Sequence, residues 1–150
     1  IRLGDLAGGL ADLNVWTQAY LRPGLAKRTF TQAEIVAYYN ALPYADKTTR
    51  SPKKHLTKAH FKLHDGSTIT EGTATEALLQ YVLQCRRILT MHEGLRWQDI
   101  KRFGIPIYRR LNNGYRYIVQ DKLPGRDPRH AIQLPSQATK GAITPNPTTN

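Results

Sequence analysis

One cysteine, Cys85, stands in a chain of 150 residues, so no internal disulfide can hold the fold together. It falls on an apolar helical stripe, which reads as a buried core thiol. No apolar run approaches the roughly 18 residues that a spanning helix needs. The sequence holds no Gly-rich phosphate loop, no Gly-x-Ser-x-Gly and no His-Glu-x-x-His. Acidic residues are scarce: 11 Asp and Glu stand against 22 Lys and Arg, a net charge of +11. Such an excess points to a polyanion, whether nucleic acid, acidic glycan or lipid headgroup. Yet the basic residues come in ones and twos, densest at residues 50–58, at Arg86-Arg87 and at Arg109-Arg110. A solvated basic surface accounts for that scatter, and no nucleic-acid partner is expected.

What is present suffices for a folded domain. Hydrophobic residues make up 40%, enough for a core, and eight Tyr, three Phe and two Trp argue against disorder. Leu6, Leu10, Leu13 and Tyr20 recur at helical spacing beside Trp16. Gly8-Gly9 weaken that helix and Pro23-Gly24 end it. Thr31-Gln-Ala-Glu34 is a capping box that opens a helix of about ten residues, closed by Pro43. Residues 44–72 lack a strong period and read as a long loop. A second capping box, Thr73-Ala-Thr-Glu76, opens the best helix. Its stripe runs Leu78, Leu79, Val82, Cys85, Leu89, continues to about His92 and stops at Gly94. A short helix carries Trp97, Ile100 and Phe103. Then the period changes: residues 105–110 and 115–119 flank Asn112-Asn113-Gly114, a hairpin signal. Six of the nine prolines follow Gly104, so the tail is extended and irregular.

Residues 86–104 carry a motif at fixed spacing. Glu93, Gly94, Arg96, Trp97, Asp99 and Arg102 stand on the pattern Glu-Gly-x-Arg-Trp-x-Asp-Leu-x-Arg, with Ile100 for Leu. This resembles the signature of the SusD/RagB family of nutrient-binding outer-membrane lipoproteins. Asp127-Pro-Arg129, the segment 132–135 and Asn146-Pro147 resemble downstream family segments, and Ala11-Asp-Leu-Asn14 an upstream one. The chain departs from the family at Cys85, where Glu is usual, and at Leu89-Thr90, where Glu-Leu is usual. Family members are several times longer. The resemblance therefore implies the C-terminal portion of a larger protein, whose N-terminal helical repeats and lipid anchor lie outside this chain.

The fold expected from it is mainly α: a tetratricopeptide-like helical scaffold with a loop-rich C-terminal portion and a short hairpin. The 150 residues are expected to form a single domain. The function implied is non-catalytic capture of glycans, or of peptides, on the outer-membrane surface, with delivery to a SusC-like TonB-dependent transporter. No cofactor is implied.

Sugar rings present apolar C–H faces that stack on aromatic side chains, so Trp16, Tyr38, Tyr39 and Tyr44 are the candidate ligand residues. On one helix Tyr38 and Tyr39 can bury only one ring, which leaves the other for a ligand. The motif residues are expected to be structural, with Trp97 buried as the anchor between helix and hairpin. His55, His60 and His64 lack an acidic or Cys ligand at a diagnostic spacing, so no metal is expected. Asp12, Asp46, Asp65 and Glu71 show no pairing suited to glycoside cleavage, and Glu34 and Glu76 belong to helix caps. A basic nucleic-acid-binding module and a glycoside hydrolase stand as the alternatives.

Overall fold

The computed structural model describes residues 1–24, 29–44, 53–55, 65–114, 116–125, 127–131, 134, 135, 137, 140, 141 and 143–145. It is a mainly helical chain with a short antiparallel hairpin: α1 (Leu6–Tyr20), α2 (Gln32–Ala41), α3 (Ala74–Leu89), α4 (Arg96–Phe103), β1 (Ile107–Asn112) and β2 (Tyr117–Leu123). A 3-10 turn, Pro128–His130, follows. The chain divides into two compact units, Ile1–Arg96 and Trp97–Asn150.

In the first unit each helix start is fixed by a side chain. Asp5 caps α1 by accepting the Gly8 amide at 2.8 Å. The glycines that weaken this helix in sequence have a steric use. A Cβ on Gly8 would strike the Asp5 carboxylate, and one on Gly9 would strike Ile1. The Thr31 box forms in full: Thr31 Oγ1 accepts the Glu34 amide, and the Glu34 carboxylate accepts the Thr31 amide at 2.8 Å. Such a cap is worth about 1 kcal/mol.

Helices α1 and α2 both pack on α3. Leu13, Ile35, Tyr39, Ala77, Leu78 and Cys85 form the buried cluster between them. Leu78 is wholly buried, a position where truncation to Ala typically costs about 2–5 kcal/mol.

Helix α3 departs from its expected stripe. Leu79 and Val82 are only half-buried and Leu89 is exposed, while Gln80 and Leu83 are buried. The helix is covered on more than one side, and polar partners on the second side take in the glutamine. It also ends three residues before His92. The Thr90 hydroxyl donates to the Arg86 carbonyl at 2.8 Å and caps the last turn. Gly94 instead adopts positive φ in the turn that leads to α4.

In the second unit β1 and β2 pair antiparallel, from Ile107 opposite Leu123 to Asn112 opposite Tyr117. The connection is longer than a two-residue turn. Asn112 Oδ1 accepts the Gly114 amide at 3.0 Å and Asn113 Oδ1 accepts the Arg116 amide at 2.9 Å. Gly114 holds φ +91°, where a side chain is strained. The register shifts between Arg109 and Arg110, and Gln120 is the extra residue of the resulting bulge. Past it, Lys122 stands opposite Tyr108, and the Lys122 ammonium and the Arg110 guanidinium both lie over the Tyr108 ring.

Trp97, expected to be buried, is half-buried. Its ring meets His130 edge-on, 5.2 Å between centroids. The partner is a polar ring on a short turn, so part of the indole stays in solvent. Asp99 is the buried residue of α4. Asp127 starts the 3-10 turn by accepting the Arg129 amide at 2.8 Å, and it grips the Arg129 guanidinium through both carboxylate oxygens at 2.9 Å. That guanidinium holds the Asp127 carboxyl down at about 2, well below the usual range.

Candidate functional site

The first unit encloses an open cavity of about 480 Å³ between the end of α1, Phe30, α2, α3 and the segment 53–55. That is a size typical of small-ligand sites. Its wall is built from the cap region upward. The Asn14 side chain acts like a peptide group toward Phe30, donating to its carbonyl at 2.9 Å and accepting its amide at 2.8 Å. This clamp sets Phe30 edge-on to Tyr81 of α3, with centroids 6.2 Å apart. Tyr39 lies 6.4 Å from Tyr81, and Tyr38 meets Tyr39 edge-on at 5.1 Å. Tyr39 is buried and Tyr38 is 53% exposed, the split that two adjacent tyrosines on one helix require. Trp16 lines the same cavity and stacks on Tyr20 at 5.0 Å.

The wall is uncharged across most of its area. Burial pushes the Cys85 thiol and the Tyr81 hydroxyl up to about 12, and pushes Tyr39 up further. Burial thus favours the protonated form of the Cys85 thiol. His55 closes one side. Its amide donates to Gln80 Oε1 at 2.9 Å, and its Nε2 lies 2.7 Å from Gln84 Oε1. Burial lowers its pKa to about 4; the bond to Gln84 opposes this, and the charges of Arg96, Arg87 and Lys53 add to it. The imidazole is neutral at ordinary pH. The charges at the cavity are Lys53, Arg87 and Glu34. The Glu34 carboxylate already accepts from the Thr31 amide and hydroxyl, both at 2.8 Å.

Beyond this wall lies a buried polar cluster. Glu76 does not complete the capping box expected of it. Thr73 Oγ1 accepts the Glu76 amide, but the Glu76 carboxylate turns inward. There it accepts the Tyr44 hydroxyl and the Gly72 amide, the latter at 2.7 Å, and pairs with Lys54 at 3.5 Å. The side chains of Lys54 and Glu76 are 4% and 2% exposed. Burial and the bond to Glu76 push the Tyr44 hydroxyl far up. A buried pair attracts more strongly than the reach-back bond to Thr73 would, because less water screens it.

Of the four candidate ligand residues, the structure brings Trp16, Tyr38 and Tyr39 to one cavity and places Tyr44 in the Glu76 cluster instead. Phe30, Tyr81, His55 and Arg87 share the cavity, although none is a ligand candidate from the sequence. Tyr81 lies four residues before Cys85, on the same face of the helix, a spacing visible in sequence. The others depend on contacts distant in sequence. Glu93 and Gly94 are exposed, and Arg102 lies over the Phe103 ring of its own helix. His60 and His64 lie outside the described residues. Among the described residues no group of His, Cys, Asp and Glu could hold a metal, and no helix is long and apolar enough to cross a membrane. No family model, curated protein or solved structure matches the chain.

Proposed function

We propose that this chain is part of a non-catalytic capture protein that binds glycans, or peptides, at the bacterial outer-membrane surface and passes them to a SusC-like TonB-dependent transporter. The observation that carries the reading is the cavity where Trp16, Tyr38 and Tyr39 converge. Aromatic rings stack on the apolar faces of sugars and on peptide side chains, and bury large areas in doing so. The motif Glu93, Gly94, Arg96, Trp97, Asp99 and Arg102 supports membership of the SusD/RagB family. In that family the helices continue a tetratricopeptide-like scaffold that lies partly outside this chain, and the protein is held to the membrane by a lipid.

The test is a titration of the intact protein with oligosaccharides, peptides and duplex DNA at two salt concentrations, with product analysis on the same samples. Oligosaccharide or peptide binding is expected, with weak salt dependence and no cleavage. DNA held by many Lys and Arg would lose affinity by orders of magnitude as salt rises. Steep, salt-sensitive DNA binding alone would overturn the reading, and cleaved oligosaccharide would replace capture with hydrolysis.

A further inference from the structure

The cavity pairs its aromatic wall with cations on one side. Arg87, half-buried at the end of α3, lines it and, among the described residues, has no hydrogen-bond or ion-pair partner. Lys53 lines it as well, next to His55. The one carboxylate at the cavity, Glu34, is occupied by the Thr31 cap. Among the apolar and aromatic groups stand two unassigned polar handles, the Tyr38 hydroxyl and the Trp16 indole N–H. An aromatic surface beside an unpaired guanidinium suits a ligand that offers an apolar ring face and, across one edge, a planar anion. Arg recognises a carboxylate through two parallel N–H donors, a match in shape as well as in charge.

We propose that this cavity takes an acidic sugar, a pyranose carrying a ring carboxylate, with the ring face against Tyr38 and Trp16 and the carboxylate on the Arg87 guanidinium. The proposal rests on the capture reading above and names its ligand class. Charge complementarity favours an acidic over a neutral sugar. Lys53, Arg87 and Arg96 together raise the local positive potential, the same potential that helps keep His55 neutral. Neutral His55 leaves no extra charge at the wall, so the guanidinium sets the discrimination. A sugar is favoured over a peptide because, among the described residues, the cavity lining of aromatic groups and Arg87 includes no strand whose edge could hold a peptide backbone.

The experiment is isothermal titration of the full chain with trigalacturonic acid and with its fully methyl-esterified form, repeated for Arg87→Gln, Arg87→Lys and Tyr38→Ala. The two probes share a sugar backbone, and esterification removes the carboxylate charges. The acid is expected to bind at least tenfold more tightly than the ester. Arg87→Gln should abolish that preference while leaving ester binding unchanged, and Arg87→Lys should restore only part of it. Tyr38→Ala should weaken both probes alike. Circular dichroism of each variant separates loss of ligand from loss of fold. Equal binding of acid and ester would overturn the acidic-sugar assignment and leave glycan capture standing. A preference that survives Arg87→Gln would also overturn it. Binding of neither probe, with binding of a peptide instead, would refute the sugar class while keeping capture. Binding of no glycan and no peptide would remove both.

Discussion

The two units hold their polar groups in opposite ways. In residues 1–96 the decisive bonds span long stretches of chain: Asn14 to Phe30, Tyr44 to Glu76, His55 to Gln80 and Gln84, separations of 16 to 32 residues. In residues 97–150 the side-chain bonds at Asn112, Asn113 and Asp127 close within two or three residues. Closing a long loop costs entropy before any contact is gained, so the first unit needs its buried partners in place together. The second can assemble its turns locally. The comparison also separates recognition from chemistry. The residues that resemble a family centre on α4 and its approach, whereas the cavity lies wholly in the first unit.

The most severe break in this contrast is Glu76→Ala. It strands a buried Lys54 and removes the acceptor of the Tyr44 hydroxyl and the Gly72 amide. Breaking a buried pair from one side typically costs about 3–5 kcal/mol. Urea unfolding should show a loss of that order, and Asp127→Ala in the second unit a far smaller one. Comparable losses would refute the division into long-range and local support.

Acid provides a finer separation. The folded pKa of His55, about 4, lies below the ordinary 6.5, so between those values the unfolded chain binds the extra proton. His55 therefore favours the fold above about pH 6.5, and its contribution falls as pH drops to 4, by up to about 1.4 kcal/mol per pH unit. The Asp127 carboxyl, held at about 2, contributes above the usual carboxylate range and loses its effect only as pH falls from about 4 toward 2. The first unit should thus soften in mild acid before the second. Trp97→Phe leaves Trp16 to report on the first unit, and Trp16→Phe leaves Trp97 to report on the second. Fluorescence of the two variants from pH 7 to 2 should show two separate transitions, and His55→Gln should move only the first. A single shared transition would mean that the units unfold as one.

The smallest expected effects test the local devices. Thr31→Ala should cost about 1 kcal/mol, the usual loss for an N-cap. Gly114→Ala should cost a similar amount, about 1–2 kcal/mol, because its φ of +91° is strained for a side chain. Thermal unfolding reads both. A much larger loss at Gly114 would show that the hairpin turn carries more than local weight.

The same contrast explains what could be read from sequence. The Thr31 cap of α2, the Thr73 hydroxyl's half of the α3 cap and the Asn-Gly turn of the hairpin are local, and local chemistry is written in adjacent residues. Glu76 misleads because a pair formed with Lys54, a residue 22 positions away, outcompetes its own helix cap. The second strand reads as ending at Val119 because the bulge at Gln120 breaks the alternation there, although pairing continues to Leu123. Gln80 and Gln84 look like solvent-facing helix residues, and only the fold brings residue 55 against them. Three of the four aromatics chosen for a ligand line one cavity. Tyr44 does not, because its acceptor lies in α3. Arg87 is one arginine among many until the cavity singles it out.

The grip of Gln80 and Gln84 on His55 has a kinetic consequence. The His55 amide lies outside every helix and strand, yet it is buried and bonded to a side chain of α3. Exposing it to solvent requires lifting His55 off two glutamines one helical turn apart. Its deuterium uptake should therefore follow the slow clock of α3 rather than the fast one of irregular backbone.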